Sequence, residues 1–240
     1  MHILRKVESI QFRISVIDCL KRLKTIYSYS KLEEITGIPR TLLCRYVKGD
    51  VLPSEKSARE LLRSLRKYDD VGMLIRSRLK LNEDGLFDLS SIAYDISILR
   101  RASQEAFIKF SDKGVTKVLT AAIDGIPLAT SIATMLNVPI AVAKTHKDPS
   151  TDSFIEESYV LVSPTMRITL YLPRRLIRRE DRVLIVDDVI RTGRTVLKLI
   201  KMVDKCRASV AGIFVLIAVG KAWKEAFSSF ELPIAVLYEI

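Results

Sequence analysis

One stretch of this chain is the most informative about its fold: Val183-Leu184-Ile185-Val186-Asp187-Asp188-Val189-Ile190-Arg191-Thr192-Gly193-Arg194-Thr195. Its four leading aliphatic residues are typical of a parallel strand that is buried on both faces. Two acids follow at the carboxyl end of that strand, the place where open α/β sheets bind their ligands. A Thr/Gly loop then leads into an apolar-periodic helix, whose first backbone N–H groups can bind an anion. The stretch therefore predicts a phosphate and ribose site between a strand and a helix.

The residue types in this stretch suit a sugar phosphate. At an exposed strand tip, Asp187 and Asp188 can accept hydrogen bonds from two ribose hydroxyls or hold a hydrated Mg²⁺. The loop supplies amides and two hydroxyls for a phosphate monoester. The alternative is a generic strand-turn-helix with two solvated acids at its tip.

This stretch resembles the 5-phosphoribosyl 1-pyrophosphate (PRPP) motif of type I phosphoribosyltransferases. It departs from that motif at Arg191, where the family usually has a small residue. The resemblance implies that PRPP binds with Mg²⁺, and that Asp187 and Asp188 are the residues that could meet the metal, through the ligand or through water. It also places the loop around the phosphate, with these residues: Arg191, Thr192, Gly193, Arg194 and Thr195.

A second block agrees with the first. It reads Val118-Leu119-Thr120-Ala121-Ala122-Ile123-Asp124-Gly125-Ile126-Pro127-Leu128-Ala129-Thr130, a strand that runs into a small-residue loop and then a helix. Gly125 allows a ligand to approach the backbone, and Pro127 is tolerated in a first helical turn. The block resembles the pyrophosphate loop of orotate phosphoribosyltransferases and of related purine regulators. That resemblance places Asp124 and Gly125 by the pyrophosphate or its Mg²⁺, and Lys144 where it neutralises the charge.

Composition indicates a globular protein of two domains. The chain has 240 residues, of which 48% are hydrophobic and 28% charged. Its longest apolar run, residues 210–219, is too short to cross a bilayer, and the first residues do not resemble a signal peptide. Three scattered cysteines and two histidines support neither a disulfide framework nor a zinc site. We therefore expect a cytoplasmic protein without a membrane segment.

Positive charge is concentrated in the first third of the chain. The formal net charge is +11. Residues 1–70 carry fifteen Lys/Arg against nine Asp/Glu, whereas residues 71–240 carry twenty-four against nineteen. Such a density attracts a phosphate backbone and indicates a DNA-binding segment near the N-terminus.

A helix-turn-helix pattern lies in that segment. Residues 32–36 predict a short helix, Gly37 permits a sharp turn, and Pro39 opens a second helix over residues 40–48. Residues 32–49 resemble the phage-repressor-like class, in which the second helix enters the major groove. The resemblance implies double-stranded DNA as a partner.

Helical phase sorts the side chains of this pattern. We expect a core-facing set of Ile35, Ile38, Leu42, Leu43 and Val47, and an outward set of Arg40, Thr41, Cys44, Arg45 and Lys48. Within the outward set, Arg40 and Thr41 are placed for base edges, Arg45 for a base or a phosphate, and Lys48 for a phosphate. The alternative is a helical module that packs on the second domain or on a dimer mate.

The rest of the chain predicts an α/β domain. Helices are expected from Ser54 to Lys80 with a break at residues 69–72, and a further helix from Ser90 to Phe107, after a turn at residues 82–85. Apolar strands then alternate with helices, as in a mainly parallel sheet; the strands are residues 115–120, 139–143, 183–186, 210–218 and 234–238. Residues 145–157 are polar and are expected to form a mobile loop. The predicted architecture is an all-α helix-turn-helix domain over residues 1–75 and a type I phosphoribosyltransferase-like domain over residues 76–240.

Two functions fit these motifs. The first is a transcription regulator that senses PRPP or a nucleotide without catalysis, resembling bacterial purine repressors and archaeal regulators of the GfcR type. The second is an active phosphoribosyltransferase that makes a nucleotide from PRPP and orotate or a purine base. The fusion of a helix-turn-helix segment to a phosphoribosyltransferase-like domain favours the first function. Residues 145–157 also favour it, because they lack the Lys-rich, Gly-spaced sequence with which orotate enzymes cover the reacting centre. A homodimer is expected on either view.

Overall fold

The computed structural model describes residues 2–69, 71–81, 87–160 and 167–240. The chain divides into two compact units, Met1–Asp70 and Val71–Ile240, which are called the N-terminal and C-terminal units below. None of the helices in the described part is long and apolar enough to cross a membrane.

Over residues 2–69 the N-terminal unit forms four helices. They are α1 (His2–Ile26), α2 (Tyr29–Thr36), α3 (Arg40–Lys48) and α4 (Glu55–Leu65). Ser28 and Ser54 cap α2 and α4 by accepting hydrogen bonds from the backbone N–H of the third helical residue, Lys31 and Ser57 respectively. One apolar core joins the four helices through buried side chains such as Leu20, Leu32, Leu43 and Leu61. The predicted bounds of α3 are confirmed, whereas α1 was not predicted.

The C-terminal unit begins with small elements and continues with an alternation of strands and helices. Its first elements are α5 (Val71–Arg78), β1 (Lys80–Leu81), β2 (Phe87–Asp88), α6 (Ser90–Ala93) and α7 (Ile96–Phe110). The remainder is β3 (Lys117–Ala121), α8 (Gly125–Leu136), β4 (Ile140–Ala143), β5 (Phe154–Val160), β6 (Arg167–Pro173), β7 (Arg182–Ile190), α9 (Arg194–Lys205), β8 (Ser209–Ala218), α10 (Ala222–Ala226) and β9 (Ile234–Glu239).

The predicted parallel sheet is confirmed. Five strands pair in the order β4-β3-β7-β8-β9, and every pair is parallel. Apolar cores cover both faces of this sheet, so the central strand β7 is fully buried from Val183 to Val186. A sheet buried on both faces needs continuous aliphatic runs, and for this reason its strands are recognisable in the sequence.

Residues 145–157 are only partly a loop. From Phe154 onward they form β5, which pairs antiparallel with β6 over Phe154↔Pro173 to Val160↔Arg167. Ile155, Leu170 and Leu172 bury their side chains beneath this hairpin. The expectation of a loop up to residue 157 was wrong because the polar residues 156–158 conceal the alternation of a half-buried strand.

Two further sequence-based expectations are only partly confirmed. The helix expected over residues 90–107 is interrupted at residues 94–95, where the Asp95 carboxylate caps α7 by accepting hydrogen bonds from Ser97 N and Ile98 N. A break after α4 is confirmed, but it falls earlier than the expected residues 69–72, since α4 ends at Leu65 and α5 already includes Val71 and Gly72. The turn expected at residues 82–85 lies outside the described residues.

Candidate functional site

A pocket of about 560 Å³ opens at the carboxyl ends of β3 and β7. This volume is in the range of sites that hold a small-molecule ligand. The β3–α8 loop, the β7–α9 loop and the β5–β6 hairpin line the pocket. They bring together nine of the ten ligand residues expected from the sequence: Asp124, Gly125, Asp187, Asp188, Arg191, Thr192, Gly193, Arg194 and Thr195.

The two adjacent acids are more buried than expected. Strand β7 does not end before them but continues to Ile190, which pairs with Ala218 of β8. Asp187 therefore lies within the sheet, where it pairs in register with Val215 of β8, and is 8% exposed. Its Oδ1 accepts a hydrogen bond of 3.2 Å from Asp188 N. The expectation of two exposed carboxylates at a strand tip was wrong for Asp187.

Burial raises the pKa of both acids. Removal from water raises the pKa of Asp187 well above its ordinary value, and the carboxylates of Asp188 and Asp124 raise it further. Burial also raises the pKa of Asp188, against the opposing effect of its hydrogen bond with Asp187. The part of the pocket formed by these acids thus favours a cation, or hydrogen-bond donors, that would reduce the repulsion between the carboxylates.

The β7–α9 loop is shaped by close packing. Gly193 has a positive φ of 76°, and a Cβ at this position would lie 2.6 Å from Phe227 Cε2. Helix α9 starts at Arg194, so its first amides face the loop without partners inside the helix. Arg191 and Thr192 are exposed. The loop therefore presents an amide-rich helix start, which is suited to an anion such as a phosphate.

The loop between β3 and α8 approaches the acids from the other side. Its Ala122–Ile123 peptide bond is cis. At Gly125 a Cβ would collide with Thr120 Oγ1 and would lie 3.4 Å from Asp187 Oδ1, so this position leaves no room for a side chain. Tyr94 donates a hydrogen bond of 2.6 Å to Asp124 Oδ1, and this bond raises the pKa of the tyrosine.

Lys144 lies apart from the other expected ligand residues. It is not among the residues that line the pocket. Its Nζ is 3.9 Å from Asp148 Oδ2, while its backbone N–H and carbonyl bond to Tyr171 of β6. The structure thus places Lys144 beside the hairpin, with an acidic neighbour of its own.

Several site residues were missed by the sequence reasoning. The hairpin contributes Tyr159, Ile168 and Leu170 to the pocket wall. Thr195 Oγ1 donates to the Tyr159 hydroxyl over 3.2 Å, and Arg194 Nη1 donates to the carbonyl of Val160 over 2.7 Å. The alternation of apolar residues in β6 could have revealed this wall, since residues 168, 170 and 172 are all aliphatic.

The chemistry of the pocket fits Mg²⁺ that arrives with a ligand. Among the described residues, no group of three or more acidic, His or Cys side chains could hold a metal ion by itself. The Asp187 and Asp188 carboxylates are nevertheless the oxygen donors that Mg²⁺ prefers, and Mg²⁺ usually keeps water and phosphate oxygens as its other ligands. A ligand with a diphosphate would supply those oxygens.

The N-terminal unit presents a second candidate surface on α3. The side chains of Arg40, Thr41, Arg45 and Lys48 are exposed, and Cys44 is half-buried. On the opposite face Leu43 is fully buried, and Ile35, Ile38, Leu42 and Val47 pack partly buried against the same core. Tyr46, only 5% exposed, is a core residue that the inward set omitted.

The turn before α3 is held by local contacts. Gly37 adopts the left-handed conformation with φ 68° and closes α2 by donating to Glu33 O. The Glu33 carboxylate then accepts a hydrogen bond of 3.2 Å from Arg40 N, at the start of α3. These contacts fix the angle at which α3 leaves α2.

Comparison with known proteins identifies a family match inside the C-terminal unit. Residues 94–231 match the family model described as "Phosphoribosyl transferase domain". The chain is 29% identical over 147 residues to the purine biosynthesis transcriptional repressor PurR of Bacillus subtilis, covering 61% of this chain and 52% of that protein. It is 31% identical over 127 residues to the xanthine phosphoribosyltransferase of Clostridium novyi, covering 52% of this chain and 67% of that enzyme.

A solved structure shows the same fold. The adenine phosphoribosyltransferase of Rhodothermus marinus superimposes with a TM-score of 0.62 at 22% identity, over 71% of this chain and 98% of that one. The matched segment of our chain spans about half the length of the Bacillus repressor.

Proposed function

We propose that this chain, which belongs to the phosphoribosyl transferase domain family, is a DNA-binding transcription regulator whose C-terminal unit senses PRPP or a nucleotide. One observation carries the proposal: α3 of the N-terminal unit exposes three cations on the face opposite its buried core. A phosphoribosyltransferase that acts only as an enzyme has no need of such a face. The identity with the purine biosynthesis transcriptional repressor of Bacillus subtilis supports it.

In this proposal the pocket binds the ligand without catalysing its conversion. Asp187 and Asp188 accept hydrogen bonds from the ribose hydroxyls, and the amides of the loop up to Thr195 bind the 5′-phosphate. Asp124 and Gly125 adjoin the pyrophosphate. Lys144 neutralises the pyrophosphate charge once its ammonium group leaves Asp148 and contacts the ligand. Mg²⁺, when bound, screens the diphosphate charge beside the two acids.

The N-terminal unit is proposed to be a helix-turn-helix domain that reads duplex DNA with α3. Arg40 and Thr41 at the start of the helix reach base edges, Arg45 reaches a base or a phosphate, and Lys48 reaches a phosphate. A homodimer would place two such helices on half-sites one helical turn apart. Arg191, exposed at the pocket mouth, could contact either the ligand or the partner subunit and is the proposed coupling residue.

A second candidate function is supported by the same comparisons. The identity with a xanthine phosphoribosyltransferase extends over 67% of that enzyme, and the pocket keeps both loops. An active phosphoribosyltransferase that forms a nucleotide from PRPP and a base therefore remains the competing proposal.

One set of measurements separates the two. A duplex selected by the chain itself from a random-sequence library serves as the operator, and its affinity is measured by fluorescence anisotropy with Mg²⁺-PRPP, with GMP or AMP, and without ligand. A sensor should change operator affinity by about 5- to 150-fold, and the operator should change ligand affinity by the same factor. Identical operator affinity in all arms, together with steady pyrophosphate release from PRPP and a base, would instead establish the enzyme.

A further inference from the structure

The C-terminal unit has a strongly basic edge far from its pocket. Residues 174–182 read Arg-Arg-Leu-Ile-Arg-Arg-Glu-Asp-Arg, with five arginines against two acids. All five arginines are exposed. They precede β7 or begin it, whereas the pocket lies at the carboxyl end of the same strand. The cations therefore occupy the opposite edge of the sheet.

The strand register adds a sixth arginine to this edge. Arg182 pairs in register with Ser209 at the start of the parallel strand β8. Arg207 lies two residues before Ser209, is exposed, and has a positive φ of 58° in the turn from α9. Cys206 is the residue before Arg207. Burial raises the pKa of the Cys206 thiol, and the charge of nearby Arg174 opposes that rise. The six residues are called the basic edge: Arg174, Arg175, Arg178, Arg179, Arg182 and Arg207.

The nearby acids do not neutralise these arginines. Asp181 is 8% exposed, and its carboxylate accepts hydrogen bonds of 2.7 Å from Arg178 N and 2.8 Å from Thr116 Oγ1, which are bonds that shape the turn. Within the described ranges no ion pair joins any arginine of the basic edge to a carboxylate. Two of the guanidinium groups bond to neutral oxygens, Arg175 to Thr151 Oγ1 and Arg182 to Lys113 O. The guanidinium groups are thus not paired with carboxylates of the described residues, and most of their N–H donors are available to a ligand.

We propose that the basic edge binds the phosphate backbone of duplex DNA without reading its sequence. Guanidinium groups pair with phosphate oxygens through two parallel N–H donors, and each phosphate that they neutralise releases bound counterions. The crowded cations repel one another until such an anion is present. The proposal takes DNA as partner from the proposed function, but it uses neither α3 nor the pocket.

The test compares two triple variants of the full chain that lose the same charge. The first is R174Q/R178Q/R179Q on the basic edge, and the control is K201Q/K221Q/K224Q, whose lysines are also exposed on the C-terminal unit. Affinity for a mixed-sequence duplex is measured as a function of salt between about 50 and 200 mM, where each phosphate contact contributes about 0.9 to the slope of log K against log salt. We expect the edge variant to lose up to about 2.7 of that slope and the control to lose much less. Equal effects of the two variants would overturn the proposal.

A third variant, R40A/R45A/K48A on α3, separates this proposal from the proposed function. If both hold, the α3 variant loses its preference for the selected operator but still binds mixed-sequence DNA through the basic edge. If only the edge variant weakens DNA binding, the basic edge stands and α3 is not the reader. If only the α3 variant weakens it, the proposed function stands and the basic edge is refuted.

Discussion

Replacement of Gly193 by Ala should destabilise the C-terminal unit by about 2–5 kcal/mol and disturb the β7–α9 loop. Gly193 has φ 76°, and an L-residue in this left-handed conformation costs roughly 1–2 kcal/mol. The new Cβ would also meet Phe227 at 2.6 Å (Cε2) and 3.2 Å (Cζ). Phe227 is 4% exposed and cannot move into solvent, so overpacking adds about 1–3 kcal/mol.

Gly220→Ala is the matched control for this substitution. Gly220 has a similar φ of 70°, but a Cβ there has no atom within 4 Å. It should therefore cost only the backbone contribution of roughly 1–2 kcal/mol. The difference between the two variants isolates the contact with Phe227, and Phe227→Leu in the Gly193→Ala background should recover part of it.

The assay uses the one tryptophan of the chain. Trp223 lies in α10, four residues before Phe227, and is 7% exposed, so its fluorescence in a urea titration follows the unfolding of the C-terminal unit. Calorimetry with Mg²⁺-PRPP on the same variants reports the loop, and we expect weaker binding by Gly193→Ala and unchanged binding by Gly220→Ala. Equal destabilisation by the two substitutions would refute the close contact, and full PRPP affinity in Gly193→Ala would refute the phosphate role of the loop.

Three more predictions concern the acids and α3. Asp187→Asn should raise the free energy of unfolding at neutral pH. The raised pKa means that the native state binds more protons than the unfolded state, so the stability of the wild type falls as pH rises above the ordinary pKa of Asp, and urea titrations at several pH values should show a flatter profile in the variant. The double variant D187N/D188N should lose about 1.5–3 kcal/mol of PRPP binding per lost charged hydrogen bond, and unchanged affinity in calorimetry would remove the ribose assignment. Arg45→Ala should cost about 1–3 kcal/mol and relax sequence preference if Arg45 contacts a base, whereas Lys48→Ala should weaken all duplexes alike; a mobility-shift titration in which neither matters would move the contact surface elsewhere.

Local patterns were enough to determine several parts of this protein. The aliphatic run of β7, the small-residue loop after β3 and the Gly37 turn before α3 each depend on neighbours a few residues apart. Such patterns reflect the period of a strand or helix and the special backbone of glycine, which the sequence displays directly. The parallel sheet, the two loops of the pocket and the outward cations of α3 were therefore predictable.

How these parts meet depends on contacts between distant segments of the chain. Tyr94 and Asp124 are 30 residues apart in sequence, and Tyr159 and Thr195 are 36 apart, yet each pair is hydrogen bonded. The pairing of β7 with β8 buried Asp187, and the packing of the hairpin set Lys144 outside the pocket lining. The basic edge likewise joins Arg182 and Arg207 through strand register. Burial, pKa and charge pairing depend on which distant segments come together in space, and no local period encodes that choice.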